Sequence, residues 1–170
     1  MNDTTPPPVT VVPPDATDQP LGPGFGVSFK LDGTHTGGAF SIVEHPFEVG
    51  AMVPPHQHTR EDEYSIVTEG EIGFRSGDRE VVLGHGGYIA KPRGELHAMW
   101  NAGRTPARMI EIISPAGFEE YFRGLGELLA DGPPAFDDVA RLAGSFGLVF
   151  DEAPWLPDVI ERYRLTPPPG

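Results

Sequence analysis

The sequence predicts an all-β barrel or sandwich followed by a helical segment. Between residues 25 and 114, short runs of β-prone apolar residues alternate with turn signals such as Asp32-Gly33 and Ser76-Gly77-Asp78. The chain contains 22 glycines and 20 prolines, a composition typical of many short strands joined by tight turns. After Pro115 the apolar residues recur at helical spacing instead. These observations together define the fold class.

The alternation of apolar residues and turn signals places each element. Acidic residues early in two of the expected helices, Glu119 and Glu120 in one and Asp137 and Asp138 in another, suit the helix dipole. The expected helices cover residues 116–130, 136–145 and 156–163. The expected strands cover residues 26–31, 39–45, 51–54, 63–69, 71–75, 80–83, 88–91, 97–102 and 107–114.

The chain is expected to form one folded domain with an arm and an appendage. At 170 residues it is long enough for a single hydrophobic core. Residues 1–24 are rich in proline and poor in large apolar side chains, which predicts an extended arm that is flexible or packs on a sheet edge. Residues 25–114 are expected to form the barrel, and residues 115–170 a helical C-terminal extension that packs on it.

Composition excludes several classes of chemistry and partner. The net charge of −13 argues against binding to nucleic acid or to an anionic membrane surface. The absence of cysteine excludes disulfides, thiolate catalysis and cysteine-ligated metals. No secretory signal and no apolar run of membrane-spanning length is visible, so a cytoplasmic protein is expected.

Two histidines and a glutamate form a first motif, Gly50-x5-His56-x-His58-x4-Glu63-x6-Gly70. In an extended strand His56 and His58 point to the same face, about 7 Å apart along the strand, and can converge on one ion. Glu63 follows a turn-prone stretch and can return to the same place from the next strand. This spacing predicts a metal site.

A second motif reads Gly86-x5-Pro92-x-Gly94-x2-His97-x3-Asn101. Together the two motifs resemble the two conserved motifs of the cupin superfamily, and the resemblance spans roughly residues 38 to 114. It implies an RmlC-like jelly roll, a double-stranded β-helix that holds a metal ion inside. It also implies the metal ligands, which are His56, His58, Glu63 and His97.

Three imidazoles and one carboxylate suit one divalent transition metal per chain: Fe, Ni, Co, Mn, Cu or Zn. If the ion is octahedral, four protein ligands leave two positions open for substrate, or for substrate and dioxygen. Two alternatives remain, namely a structural zinc with a closed tetrahedral site and a motif that no longer holds metal.

The stretch from His56 to Glu63, the closing segment Ile112-Ile113-Ser114-Pro115-Ala116-Gly117-Phe118 and the helical tail are similar to single-domain cupins related to quercetin dioxygenases. That resemblance implies a dioxygenase that binds a substrate oxygen to the metal, with Glu63 as the catalytic residue that moves the proton. The alternatives are a non-redox isomerase, lyase or cyclase, and a small-molecule-binding cupin without turnover. A small-molecule substrate and a homodimer are the expected partners.

The lining of the substrate pocket is less sharply predicted. Strand parity with His97 turns Met99 and Asn101 inward. Either Phe40 and Ile42, or else Phe47 and Met52, line the same cavity, and Phe74 is a further candidate.

Several polar side chains have no role that the sequence assigns. His35 and His85 are expected in exposed turns, while His45, just before Pro46, is a candidate for the barrel mouth. Glu61 is expected to be solvated and Glu111 to face the surface.

Overall fold

The computed structural model describes residues 9–14 and 18–168. Within them the chain forms eleven strands and four helices. They follow in the order β1 (Gln19–Gly22), β2 (Phe25–Leu31), α1 (Gly33–Thr36), β3 (Ser41–Phe47), β4 (Met52–His58), β5 (Asp62–Glu69), β6 (Ile72–Ser76), β7 (Arg79–Leu83), β8 (Tyr88–Lys91), β9 (His97–Asn101), β10 (Ala107–Ser114), α2 (Glu119–Leu129), α3 (Phe136–Ser145), β11 (Leu148–Phe150) and α4 (Leu156–Tyr163).

The strands form two antiparallel sheets that face each other. One sheet has the order β1-β2-β3-β10-β5-β8, and the other has the order β11-β4-β9-β6-β7. Strands far apart in sequence are neighbours, such as β3 with β10 and β4 with β9. The predicted all-β jelly roll with C-terminal helices is therefore confirmed.

All nine expected strands and all three expected helices are present, with ends shifted by no more than four residues. The sequence reading missed α1 and the two short strands β1 and β11. Strand β1 lies in the proline-rich arm and pairs with β2 at the edge of its sheet. Residues 1–8 and 15–17 of that arm lie outside the described residues.

The barrel interior is filled by alternate side chains of the two sheets. On β3, for example, Ser41, Val43, His45 and Phe47 are buried while the residues between them are half-exposed. Burial of the apolar side chains among them, such as Val43 and Phe47, is the main favourable contribution to folding.

The helices cover the barrel at two places. Helix α2 buries Tyr121 and Phe122 in a core cluster that also contains Val27 and Leu148. Helix α4 places Val159 against Trp100 on the outer side of the second sheet. No helix formed by the described residues is both long and apolar enough to cross a lipid bilayer.

Candidate metal centre

Four buried side chains from three strands converge inside the barrel. His56 and His58 lie on β4, Glu63 lies on β5, and His97 lies on β9, where it is paired with His56 in the strand register. One ligand atom from each residue lies within 4.8 Å of all the others. The ligand set expected from the two sequence motifs is thus brought together by the fold.

Backbone carbonyls orient two of the three imidazoles. Nδ1 of His56 lies 2.7 Å from the carbonyl oxygen of Pro54, and Nδ1 of His97 lies 2.9 Å from that of Glu95. An Nδ1–H that donates to a carbonyl leaves Nε2 as a lone-pair ligand, the arrangement used in metal sites. Burial, reinforced by the two neighbouring imidazoles, holds the pKa of His56 well below its usual range. His56 is therefore a neutral ligand.

Glu63 lies between the imidazoles of His58 and His97. Its Oε1 is 3.2 Å from His58 Nε2, and its Oε2 is 3.3 Å from His97 Nε2. Adjacent ligands of an octahedral ion with bonds near 2.1 Å are ~3 Å apart, so these separations match a common centre. Both Nε2 atoms are buried and accept no hydrogen bond from the described residues. The donor set fits a divalent transition metal, which would supply Lewis-acid chemistry here.

Glu61 lies close behind His58, contrary to the expectation of a solvated carboxylate. Its side chain is 8% exposed, and Oε2 is 3.7 Å from Nδ1 of His58. This separation is longer than a hydrogen bond, and neither atom has a hydrogen-bond partner among the described residues. By contrast, the adjacent Asp62 is half-exposed and pairs with Arg93 at 2.8 Å. Glu61 is therefore placed to orient His58 through its Nδ1–H.

A buried lysine lies on the other side of Glu63. Lys91 Nζ is 3.1 Å from Glu63 Oε2 and 2.8 Å from Glu111 Oε2, and Ser65 donates to the second oxygen of Glu111. Glu111 is fully buried, so the expectation that it faces the surface is corrected.

Charge and burial compete at these carboxylates. Burial raises the pKa of Glu63, but Lys91 and His58 outweigh it and hold that pKa well below its usual range. For Glu111 burial wins over Lys91 and raises the pKa to about 7. Glu63 is therefore anionic at neutral pH and available to a cation.

The cluster opens into a cavity of about 880 Å³. His56, His58 and Glu63 lie in its wall together with apolar and aromatic side chains. Phe118 packs edge-on against His58, with ring centroids 4.3 Å apart, so the beginning of α2 covers one side of the cluster. Further wall residues are Phe25, His45, Met52, Val53, Met99, Tyr121, Phe122, Leu125, Leu148 and Phe150.

Only some of the residues that were expected to line the pocket border the cavity. Met52 and Met99 line the cavity. A register shift between Val53 and His56 reverses the strand parity there, so Met52 also contacts the cluster around Trp100. Phe74 is buried deeper in the barrel, where its ring lies 6.0 Å from Lys91 Nζ, and does not border the cavity.

The other four expected lining residues lie elsewhere. Phe47 is fully buried in the barrel core and does not border the cavity. Ile42 alternates with the buried Ser41 and Val43 and is half-exposed, because its side chain points to the outside of the sheet. Phe40 precedes β3 in the turn after α1 and is half-buried. Asn101 is buried, but its side chain hydrogen-bonds the backbone of Phe47, Gly103 and Thr105 and so shapes a turn.

Sequence reasoning missed two contributors to the cavity. His45 lines it, yet the sequence pattern assigned this residue no role. The aromatic side chains at the beginning of α2 line it too, although the helical spacing alone predicted only packing. The alternation of β3, with His45 in phase with Val43 and Phe47, is the signal that identifies an inward histidine. His35 and His85 are exposed, as expected.

Residues 43–113 match the family model of the cupin domain. Germin-like protein subfamily 2 member 3 of Arabidopsis thaliana is 30% identical over 132 residues, which are 72% of this chain and 57% of that protein. The tetracenomycin polyketide synthase protein TcmJ of Streptomyces glaucescens is 35% identical over 66 residues, 39% of this chain and 44% of TcmJ. This chain thus spans about half the length of these curated relatives.

Among solved structures, KdgF from Halomonas sp. superimposes with a TM-score of 0.56 at 21% identity, covering 61% of this chain and 90% of KdgF. This likeness concerns the fold. The jelly-roll barrel and the buried cluster of three histidines and one glutamate agree with these matches. The chain belongs to the cupin superfamily.

Proposed function

We propose that the protein is a metal-dependent enzyme for a bulky aromatic molecule with oxygen donors, and that its reaction is a dioxygenation of the quercetinase-like type. One observation carries this proposal: the buried cluster of histidines and Glu63 opens directly into a large apolar cavity. A concave apolar site with a few convergent polar groups is the usual form of a small-molecule site.

The cavity wall favours this substrate class over small anions. Its acidic members are Glu63, Asp151 and Glu152, and no lysine or arginine of the described residues lines it. A small dicarboxylate would therefore find no cationic side chain in the wall and would leave most of the apolar surface uncovered. Stacked or edge-on aromatic rings such as Phe118 and Phe122 suit a planar aromatic ligand.

Glu63 has the central chemical role in the proposed reaction. A bound divalent ion would polarise an oxygen of the substrate and lower the pKa of its hydroxyl. Glu63 then accepts the hydroxyl proton, while Lys91 holds the carboxylate in place from the opposite side. In a dioxygenation both atoms of dioxygen are added to the substrate, which is the only electron donor. The apolar wall excludes water from the activated molecule.

Oxygen uptake tests the proposal. Protein loaded separately with Fe(II), Ni(II), Co(II) or Mn(II) is mixed with a panel of flavonols and enediols in an oxygen-electrode cell. We expect uptake with at least one metal and substrate, and a loss of at least about 100-fold in Glu63→Gln. If no combination consumes oxygen, the dioxygenase assignment is rejected.

A second candidate is a non-redox enzyme such as a cyclase, and the similarity to TcmJ, a tetracenomycin polyketide synthase protein, favours a polyketide as its substrate. In that reaction the same metal polarises a carbonyl, and Glu63 removes the proton next to it. An aromatic polyketide would fit the cavity on the same grounds as a flavonol. Conversion of a poly-β-ketone under nitrogen, with no change in dissolved oxygen in a parallel aerobic run, supports this candidate against the first.

A further inference from the structure

A fourth histidine faces the cavity but does not belong to the group of four candidate metal ligands. His45 lies on β3 and is 1% exposed to solvent. Its ring is stacked on Phe25, with centroids 4.8 Å apart, and meets Phe122 edge-on at 5.1 Å. Both aromatic neighbours line the same cavity. The imidazole is therefore held rigidly in an apolar wall.

One nitrogen of His45 is engaged and the other is not. Nδ1 lies 2.8 Å from the carbonyl oxygen of Gly26, so the Nδ1–H donates to that carbonyl and the lone pair is on Nε2. No described residue hydrogen-bonds Nε2. Burial, opposed by the Gly26 carbonyl and by Glu63, lowers the pKa of His45 to about 4. At neutral pH the residue presents a fixed acceptor to the cavity.

A phenylalanine at this position would keep both ring contacts but would lose the hydrogen bond to the Gly26 carbonyl and the acceptor that faces the cavity. The bond to Gly26 accounts for Nδ1 of His45. Nε2 remains as a fixed acceptor in an otherwise apolar part of the wall, where a ligand can donate a hydrogen bond to it.

We propose that His45 is a substrate-positioning residue whose Nε2 accepts a hydrogen bond from a hydroxyl group of the aromatic substrate. The inference rests on the proposed function, because it takes the cavity as the substrate site. It narrows the substrate class to aromatic molecules with two separate oxygen functions. One binds at the metal cluster, and the other is a hydroxyl donor that reaches the β3 wall.

Matched probes test this hydrogen bond without turnover. Zn(II)-loaded protein is titrated with 3-hydroxyflavone, which carries only the chelating pair of oxygens, and with 3-hydroxyflavones that carry one further hydroxyl at different ring positions. We expect one hydroxylated probe to bind about tenfold more tightly than 3-hydroxyflavone. In His45→Phe the two probes are expected to bind with about equal affinity. The affinity for 3-hydroxyflavone itself is expected to change less than about threefold.

His85→Phe is the matched control. His85 also directs Nδ1 at a backbone carbonyl, that of Thr68 at 2.7 Å, but it is exposed and does not line the cavity. This variant is expected to keep the full preference for the hydroxylated probe. An equal loss in both variants would overturn the proposal.

A spectroscopic measurement removes dependence on the variant's folding. In wild-type protein, the ¹⁵N resonance of His45 Nε2 is expected to shift on addition of the preferred probe and to stay unchanged with 3-hydroxyflavone. Binding of 3-hydroxyflavone with no gain from any extra hydroxyl, or a gain without the ¹⁵N shift, overturns the role of His45 and leaves the proposed function standing. Failure of every probe to bind overturns both.

Discussion

Lys91 donates to Glu111 across 2.8 Å in the interior of the barrel, where both side chains are at most 3% exposed. The same ammonium lies 3.1 Å from Glu63. Two carboxylates thus share one cation beside the metal cluster. Charges removed from water are tolerated only when they are closely paired, so this group is held by its own electrostatics.

Removing the shared cation is expected to destabilise the protein strongly. Lys91→Met leaves Glu63 and Glu111 buried without their counter-ion, and we expect the free energy of unfolding to fall by about 3 kcal/mol or more. In Lys91→Met/Glu111→Gln the second charge is also gone, so part of that loss is recovered. Urea unfolding monitored by circular dichroism measures both variants.

Lys30→Met is the matched control for this pair. Lys30 lies 3.8 Å from Glu44 in a more exposed ion pair at the barrel surface. Its removal is expected to cost less than about 1 kcal/mol. If Lys91→Met proves no more costly than Lys30→Met, Lys91 does not carry the electrostatic role given to it here.

The pair formed by Lys91 and Glu111 also shows what could not be predicted from the sequence. The candidate metal ligands could be predicted, because His56 and His58 alternate on one strand and the resemblance to the two cupin motifs implies Glu63 and His97. Glu111 could not, because β10 carries apolar residues on both faces and its alternation does not say which face is buried. Its partner lies 20 residues away on a strand that is not its neighbour in the sheet.

Apolar character alone does not say which residues line the cavity. Met52 lines it as expected, although the register shift before His56 also brings this residue into the cluster around Trp100. Ile42 has an apolar side chain on the outer face, so its hydrophobicity did not indicate that it points away from the cavity. The cavity wall built by α2 requires knowing how a helix packs on a barrel, which no local pattern contains.

Metal binding is expected to stabilise the fold. A divalent ion at 100 times its dissociation constant adds about 2.7 kcal/mol to the free energy of unfolding, because the cluster exists only in the folded state. Elemental analysis should find close to one ion per chain in protein purified without added metal. His58→Ala is expected to lose both the ion and the stabilisation, whereas His85→Ala keeps them. Equal metal content in the two variants would contradict the ligand assignment.

Glu61 is expected to tune the affinity for metal through His58. Its removal in Glu61→Ala leaves Nδ1 of His58 with no acceptor nearby, and we expect the dissociation constant to rise about tenfold. Competition with a chromogenic chelator measures this constant. Asp62→Ala removes the neighbouring carboxylate, which binds Arg93 at the surface, and should change it less than about twofold. If Asp62→Ala raises the dissociation constant more than Glu61→Ala does, the role given to Glu61 belongs to Asp62 instead.

His45 is expected to make the protein sensitive to acid. Because its pKa is about 4 when folded and near 6.5 when unfolded, the unfolded state binds more protons between these values. Stability from this residue is fully present above pH 6.5 and is lost as the pH falls toward 4. Between pH 7 and pH 5 we expect wild type to lose about 2 kcal/mol more than His45→Phe. If chemical denaturation gives wild type and His45→Phe the same loss of stability between pH 7 and pH 5, His45 is not buried as described.

Gly73 is expected to tolerate no side chain, because Trp100 fills the space beside it. A methyl group on its α-carbon would overlap Cε2 of the Trp100 ring. That ring is fully buried and packs against Tyr163 of α4 with centroids 5.3 Å apart, so it has little room to move. We expect Gly73→Ala to lower the free energy of unfolding by about 1–3 kcal/mol, as overpacked cores do. Gly84→Ala meets no described atom closer than 3.9 Å and should change it by less than about 1 kcal/mol. A Gly73→Ala protein as stable as Gly84→Ala would mean that the Trp100 ring, and α4 with it, is free to shift outward.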